Sequence, residues 1–306
     1  MKNPMVDQQE NLCKTKTFWD DYQTGGEGSE GGSWWDSPVI VAECQKMISG
    51  NANMNMQQFF KKCLQGRSLE KGVSICSGSG EFERSLIDNG LCRQIDAYEL
   101  SGKRVEEGRK MAEKDGYAIR FYQEDVNHAV FNPDHYDVFF SWSALHHIEN
   151  LEGVIDNARK CLKKKGVLVA QEYIGPNRFQ WTKRQVEMVN RVLKRLPERL
   201  RRDPKTGNLR EEISRPTIAH MMNTDPSEAV RSTEIIPELQ KHFKISILRY
   251  FGGAIFHPLF NEIMANFNYD SDAEVALIEM VLLLERVMVE EKVLNEDYAI
   301  IIAERK

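Results

Sequence analysis

A glycine-rich turn after an apolar segment is the sharpest chemical signal in the sequence. The run 73–76 has the composition of a short buried strand, and Ser77, Gly78 and Gly80 follow it. Glycine lacks a Cβ, so the backbone of a Gly-x-Gly turn can pass close to a ligand. This turn predicts a nucleotide-binding loop between a strand and a helix, although Gly-x-Gly by itself also occurs in turns that bind nothing.

Acidic residues after the next two predicted strands support the nucleotide interpretation. Glu99, with Leu100 after it, ends the second strand 19 residues after Gly80. A doubly wound fold places a carboxylate at this position on the two hydroxyls of a ribose. Asp125 and Val126 follow the third strand, at the neighbouring edge of the same crevice. We therefore expect a nucleoside to lie across the carboxyl ends of these strands.

Groups that can move a proton follow the fourth and fifth predicted strands. His146 and His147 come after the fourth strand, and Glu172 and Tyr173 come after the fifth. Histidine titrates near neutral pH and can take a proton from a hydroxyl group. His146 is therefore a candidate base, and His147 either shares that role or supports the loop.

Other histidines are weaker candidates for catalysis. His257 lies in the segment GGAIFHPLF, and His220 lies in a basic insertion. A lone histidine beside apolar residues is more often a hydrogen-bonded core residue, which is our interpretation of His128 and His242. His257 stays a candidate catalytic residue, and His220 a candidate substrate contact.

The elements that must position these residues alternate between strand and helix. Strands are predicted at 73–76, 94–98, 118–122, 136–142, 166–171, 244–250 and 298–303. Helices are predicted at 82–89, 102–114 and 151–162, between the early strands. Such alternation is typical of a parallel sheet covered on both faces. The predicted fold is an α/β, doubly wound, mostly parallel seven-stranded sheet, with a helical cap and an antiparallel finish.

The chain divides into four predicted segments. They are residues 1–66, an N-terminal segment and helices covering the cofactor pocket; 67–174, the cofactor-binding core; 175–237, a helical substrate cap; and 238–306, C-terminal strands and a helix that complete the core. Residues 1–37 are expected to be irregular, with a glycine-rich tract at 25–33. Aromatic residues flank that tract, at Phe18, Trp19, Tyr22, Trp34 and Trp35. They favour a segment that folds over a pocket, with a packed surface arm as the alternative.

The predicted cap is strongly basic. Between Arg178 and Arg215 there are twelve Lys or Arg residues and five acidic residues, a difference of +7 in a chain of net charge −5. A run of charge is often only a solvated helix face. The functional alternative is a lid that attracts an anionic substrate, such as a nucleotide- or lipid-diphosphate-linked sugar.

Composition excludes several classes of protein. The 306 residues are 41% hydrophobic and 28% charged, which excludes collagenous and wholly disordered chains. No apolar run approaches the ~20 residues of a membrane helix, and the first residues lack the apolar core of a signal peptide. The six cysteines form no metal-ligand pair, so we expect no metal site and reduced thiols. We expect a cytoplasmic protein, and the net charge argues against a general nucleic-acid binder.

Five segments resemble those of class I S-adenosylmethionine-dependent methyltransferases. They are SICSGSGE (74–81), DAYELS (96–101), QEDVN (123–127), YDVFFSWSALHHI (136–148) and LKKKGVLVAQEY (162–173). The resemblance covers roughly residues 70–175 and the C-terminal strands. It implies S-adenosylmethionine as the cofactor, S-adenosylhomocysteine as its product, and a cofactor site made of Ser77, Gly78, Gly80, Glu99, Leu100, Asp125, Val126 and Ser141.

The resemblance also implies a role for each part of that site. In the family the glycine turn cradles the methionine part of the cofactor, which corresponds to Gly78 and Gly80. The acidic residue after the second strand binds both ribose hydroxyls, which corresponds to Glu99. The acidic residue after the third strand meets the adenine amine, which corresponds to Asp125 with Val126.

The chain departs from the family pattern at two positions. Ser74 stands where the family usually has an acidic residue, and Cys76 stands at its first glycine. Gln171, Glu172 or the N-terminal segment are the alternatives for contacting the cofactor's ammonium group.

Rival nucleotide-binding motifs fit the turn less well. A nicotinamide dehydrogenase needs a small residue where Glu83 stands, because the helix must pack closely on the strand. A phosphate-binding P-loop needs a lysine after the turn, and none follows.

The leading functional prediction is methyl transfer to a hydroxyl of a small or medium metabolite, of sugar or nucleotide- or lipid-linked glycan type. Predicted substrate contacts are Glu172, Tyr173, Arg215 and His220. The alternatives are a non-catalytic binding module of the same fold and transfer to nitrogen or carbon. The predicted partner is a small-molecule acceptor, anionic in one interpretation, and the oligomeric state, including a homodimer, stays open.

Overall fold

Seven strands form one sheet in the computed structural model, which describes residues 4–21 and 32–306, with side chains in the first range from residue 9 onward. The strands are β1 Lys71–Ile75, β2 Gln94–Glu99, β3 Ile119–Gln123, β4 Tyr136–Trp142, β5 Leu162–Tyr173, β6 Phe243–Tyr250 and β7 Tyr298–Arg305. Their order across the sheet is β3-β2-β1-β4-β5-β7-β6. The first five strands pair in parallel, and β7 pairs antiparallel with β5 and β6. The predicted mostly parallel seven-stranded sheet is confirmed.

Helices cover both faces of this sheet. They are α1 Pro4–Asp21, α2 Pro38–Ser49, α3 Met56–Cys63, α4 Glu81–Asp88, α5 Gly102–Asp115, α6 Leu151–Cys161, α7 Lys183–Leu193, α8 Ile218–Thr224, α9 Ile235–His242, α10 Phe256–Phe260 and α11 Asp272–Glu290. Two clusters of buried apolar side chains, one on each side of the central strands, make up the core. Burial on both faces is what the nearly continuous apolar sequences of β4 and β5 predict.

The strand order reverses between β1 and β4, which are neighbours that run in the same direction. Helices therefore leave these two strands toward opposite faces, and a crevice opens at their carboxyl ends. The turn after β1 and the loop after β4 meet at this crevice, together with the residues that end β2, β3 and β5. All the strongest candidate residues of the sequence lie on these five connections.

The N-terminal prediction needs correction. Residues 1–37 were expected to be irregular, but α1 occupies Pro4–Asp21. Its sequence carries little helical periodicity. Contacts with α5, rather than an apolar stripe, hold the helix in place. Ser101 Oγ donates to Asp20 Oδ1 at 2.6 Å, and Arg104 Nε donates to the Trp19 carbonyl at 3.0 Å. Tyr22 and most of the glycine-rich tract lie outside the described residues.

Two further elements differ from their predicted bounds. Strand β5 begins at Leu162 rather than at 166, because Leu162 pairs with Tyr136 and the register shifts between Tyr136 and Val138. The three lysines after Leu162 give no sign of this pairing in the sequence. The segment 175–237 is less helical than predicted. It contains α7, α8, the beginning of α9 and short 3-10 turns, joined by extended chain. No helix among the described residues combines the length and hydrophobicity that a membrane crossing requires.

Candidate active site

The turn after β1 has the backbone conformation that its glycines allow. Gly78 and Gly80 have φ angles of +56° and +80°, and Cys76, where the family has glycine, has +49°. A Cβ on Gly80 would lie 2.5 Å from the Phe121 ring, so no larger side chain fits there without displacing β3. Gly80 is also the N-cap residue of α4, which begins at Glu81. The turn is therefore both tight and close to its neighbours, as the sequence predicts.

Glu99 holds this turn against the end of β2. Its Oε2 accepts a hydrogen bond from the Gly78 N–H at 2.8 Å, and its Oε1 accepts one from the Ser101 N–H at 2.8 Å. The side chain is buried and lines the adjacent cavity. A carboxylate has about four lone-pair sites, so one on each oxygen is left for donors such as the hydroxyls of a ribose.

A single cavity of about 780 Å³ lies over the crevice. This volume is within the range of small-molecule sites. Predicted cofactor residues line one part of it, which we call the cofactor end: Gly78, Glu99, Leu100, Asp125 and Val126. Residues of the N-terminal helix and the insertion line another part, which we call the acceptor end: Leu12, Thr15, Trp19, Arg178, Met222, Pro226, Ser227 and Val230. His147 belongs to the same lining, so one cavity holds both the predicted cofactor residues and a histidine.

The remaining predicted cofactor residues support this end of the cavity rather than line it. Ser77 donates its N–H to the Tyr98 carbonyl, and Gly80 donates its N–H to the Ser77 carbonyl. Ser141 lies buried at the end of β4, and its Oγ donates to Glu172 Oε1 at 2.5 Å. These three residues fix the loops, and direct cofactor contacts by them stay predictions.

Buried Glu172 organises the loop after β4. Its Oε1 also accepts the N–H groups of Ala144 and Leu145, at 3.1 and 2.9 Å. Its Oε2 lies 2.8 Å from His146 Nδ1. Burial lowers the pKa of His146, whereas the hydrogen bond and charge of Glu172 raise it, and the net shift is upward. Glu172 therefore positions His146. It is not among the described residues that line the cavity.

His147 is held by a second chain of hydrogen bonds. Its Nδ1 lies 3.0 Å from Ser227 Oγ, which donates its own proton to Asp225 Oδ1 at 2.7 Å. Because Ser227 has one proton and gives it to Asp225, Nδ1 of His147 must carry the hydrogen, which leaves Nε2 with a free lone pair. Burial and the neighbouring His146 hold the pKa of His147 below its ordinary value. Both effects favour the neutral form of the ring.

The other predicted contacts lie apart from the cavity lining. His257 is buried, with Nδ1 3.4 Å from the Tyr298 hydroxyl, and burial lowers its pKa to about 3. Its ring also packs edge-on against Tyr173, whose hydroxyl donates to the Pro176 carbonyl. His220 and Arg215 are exposed and are absent from the described residues that line the cavity. Their roles in catalysis or substrate binding stay predictions.

The charge of the insertion is spread over its surface. Of its twelve basic residues, Arg178 alone is among the described residues that line the cavity. Arg199 pairs with Glu274, and Arg210 donates to the Asn261 carbonyl at 2.7 Å. The arrangement fits a solvated and structural role for most of these side chains, with Arg178 as the exception.

Several residues at the site carried little signal in the sequence. Trp19 packs edge-on against His147, with ring centroids 5.3 Å apart, and the Arg104 guanidinium lies 5.2 Å from its ring. Ser227 contacts His147 across 80 residues of sequence, and Asp225 accepts the hydrogen bond of Ser227. Among these residues, only Trp19, near the glycine-rich tract, was singled out from the sequence.

A buried carboxyl group lies beside Ser74. Ser74 Oγ donates to Glu83 Oε1 at 2.5 Å, so α4 brings an acidic group to the position where the family usually has one on β1. Burial raises the pKa of Glu83 to about 7. The same residue that argues against a dinucleotide fingerprint therefore places a buried carboxyl group beside Ser74.

Comparison with known proteins adds a family and a fold. Residues 73–170 match the family described as "Methyltransferase domain". No curated protein matches the chain significantly. A geranyl diphosphate C-methyltransferase from Streptomyces coelicolor A3(2) is 13% identical, with TM-score 0.55 and full coverage of both chains. A second geranyl diphosphate methyltransferase structure is 11% identical, with TM-score 0.56 over 97% of this chain and 100% of the other. A putative S-adenosylmethionine-dependent methyltransferase from Listeria monocytogenes is 16% identical, with TM-score 0.50 over 81% and 95%.

Proposed function

We propose that this chain uses S-adenosylmethionine to methylate a hydroxyl of a small or medium metabolite, since residues 73–170 match the methyltransferase-domain family. The observation that carries the proposal is the single cavity that joins the Glu99 end to His147. A cofactor end and an acceptor end in one enclosure are what a direct transfer requires. Sugars and nucleotide- or lipid-linked glycans are the hydroxylated acceptors that we favour.

The cofactor end fits S-adenosylmethionine. Glu99 has a free lone pair on each oxygen for the ribose hydroxyls, and Asp125 and Val126 offer a polar and an apolar contact for the base. Gly78 exposes backbone where the amino-acid part would pass. When bound, the cofactor supplies a methyl group on a sulfonium, which is already activated for transfer.

The protein's own task is to bind the acceptor, orient it and remove one proton. We assign proton removal to Nε2 of His147, since the Ser227–Asp225 chain fixes its hydrogen on Nδ1. Trp19 packs edge-on against the ring of His147 and thereby restricts its orientation. General-base assistance of this kind contributes about 10²–10⁴ in rate. His146, held by Glu172, is a positioning residue for the loop in this account.

Arg178 supports an acceptor that carries negative charge. Its Nη1 donates to the carbonyls of Pro226 and Glu228, and its side chain lines the cavity half-buried. The backbone of Arg178 has φ +54°, a conformation that an ordinary residue adopts at a cost of order 1 kcal/mol. An arginine held in this way offers its remaining N–H groups to a phosphate or carboxylate.

A panel of hydroxylated acceptors with isotope-labelled S-adenosylmethionine tests the proposal. We expect an O-methylated product that is identified by mass spectrometry. His147→Gln should lower kcat about 100-fold or more while S-adenosylhomocysteine binding is retained, and His242→Gln, at a histidine outside the described cavity lining, serves as the matched control. A His147→Gln variant with wild-type kcat would overturn the assignment of the base.

Transfer to carbon is the second candidate. The two geranyl diphosphate methyltransferases described above share the fold over nearly the whole chain. Adding geranyl diphosphate to the panel separates the candidates, because a product with a new carbon–carbon bond would replace the hydroxyl proposal.

A further inference from the structure

Two histidines and a glutamate converge beside the cavity, and one of them, His147, belongs to its lining. One ligand atom from each of His146, His147 and Glu228 lies within 4.8 Å of the others. Glu228 follows α8 in the insertion, whereas the histidines follow β4, so the fold rather than the local sequence brings the three together. The sequence prediction of no metal site counted cysteine spacing and did not reach this cluster.

The free nitrogens of both histidines face the same carboxylate. His146 Nε2 is 3.6 Å from Glu228 Oε1, and His147 Nε2 is 3.9 Å from Glu228 Oε2. These distances are too long for hydrogen bonds. Two atoms that each bind a tetrahedral zinc ion at about 2.1 Å lie about 3.4 Å apart. The separations therefore resemble those of ligands around one metal more than those of direct contacts.

The opposite edge of each histidine ring is held as metal ligands usually are. His146 Nδ1 lies 2.8 Å from Glu172 Oε2, and His147 Nδ1 lies 3.0 Å from Ser227 Oγ, which donates to Asp225. A ligating histidine almost always donates its other N–H to a carboxylate, carbonyl or water, which fixes the tautomer and ring orientation. Both histidines have this outer partner, one directly and one through a serine.

Charge around the cluster favours a cation. Glu172, Glu228 and Asp225 face the histidines, and Arg178 is a basic group near Asp225 and Glu228. Glu149 is a further carboxylate near Arg178. Asp225 Oδ2 is buried and has no hydrogen-bond partner among the described residues. A buried oxygen without a partner is costly, and a nearby dication would offset that cost.

We propose that His146, His147 and Glu228 form a binding site for a divalent transition metal, Zn²⁺ in the first instance. Two imidazoles and one carboxylate suit zinc, and three protein ligands leave a fourth position open. The metal has a path to the site, because His147 and Ser227 line the cavity. The inference goes beyond the proposed function, although one consequence rests on it. A metal and a proton compete for Nε2 of His147, so bound zinc blocks the proposed base.

Zinc titration of the full chain, without a polyhistidine tag and after chelator treatment, tests the site. Competition with a chromophoric chelator should give one Zn²⁺ per chain. Glu228→Gln and His147→Gln should each weaken binding about tenfold or more. Exposed His220→Gln and Glu212→Gln are the matched controls and should bind as wild type does. Thermal melts and S-adenosylhomocysteine affinity show that each variant is folded.

A second measurement needs no variant. In crystals soaked with Zn²⁺, anomalous scattering at the zinc edge should place the metal between the two imidazoles and Glu228. A peak elsewhere, substoichiometric binding, or affinity within threefold of wild type in both ligand variants would overturn the site. Inhibition of methyl transfer by zinc, reversed by a chelator, tests the consequence separately. Zinc bound at the cluster without inhibition would support the site and contradict the role of His147 as base.

Discussion

Replacing Glu99 should weaken cofactor binding by an amount that its contacts define. Each of its oxygens already accepts one backbone N–H, at 2.8 Å in both cases, which leaves one lone pair each for the cofactor. A hydrogen bond to a charged group contributes about 1.5–3 kcal/mol. Losing two such bonds in Glu99→Ala should cost about 3 kcal/mol or more, which corresponds to about 100-fold or more in Kd.

Calorimetric titration with S-adenosylhomocysteine measures this loss. Glu99→Gln keeps the shape and one acceptor, so its Kd should fall between those of wild type and Glu99→Ala. Exposed Glu113→Ala on α5 is the matched control and should leave Kd unchanged. Circular dichroism must show that the variants are folded, because Glu99 also holds the Gly78 turn. A Glu99→Ala variant with Kd within threefold of wild type would refute the placement of the ribose.

Three further predictions concern the supports of the site. Burial raises the pKa of Glu83 from its ordinary 4.5 to about 7. Between pH 4.5 and 7 the folded state therefore binds a proton at Glu83 that the unfolded state has lost, so the free energy of unfolding falls as the pH rises through this range. The free energy of unfolding of Glu83→Gln minus that of wild type should therefore grow by about 3 kcal/mol between pH 4 and 8 in denaturant titrations, and a difference independent of pH would contradict this. Gly80→Ala should destabilise by about 1–3 kcal/mol more than Gly116→Ala, because both have φ near +80° but only Gly80 meets a neighbour, and equal losses in thermal melts would show that the Phe121 contact is unimportant. Glu172→Gln should lower the unfolding free energy by about 3 kcal/mol, since an amide cannot accept all the N–H and O–H donors around it, and an unchanged melting temperature would argue against that network.

The sheet was predictable because its signals are local. Strand β4 has its predicted bounds, Tyr136–Trp142, since a short apolar run between turn residues leaves little choice. The glycine turn, Glu99 and Asp125 follow strands directly, and the carboxyl ends of parallel strands meet at one edge. That is why five of the predicted cofactor residues line one cavity.

The acceptor end was not predictable in the same way. Helix α1 has few apolar positions to reveal it, and its Trp19 reaches His147 only because α5 anchors the helix end. Asp225, Ser227 and Glu228 come from a segment far along the chain, and no periodicity connects them to the histidines. The basic character of the insertion was visible, but exposure rather than charge decides which side chains line the cavity.

A crystal structure with S-adenosylhomocysteine bound is the most direct test of the account. It should show the ligand in the 780 Å³ cavity, with its ribose hydroxyls on Glu99, its base beside Asp125 and Val126, and its sulfur on the side of His147. Ligand density outside this cavity, or a ribose that does not contact Glu99, would contradict the account.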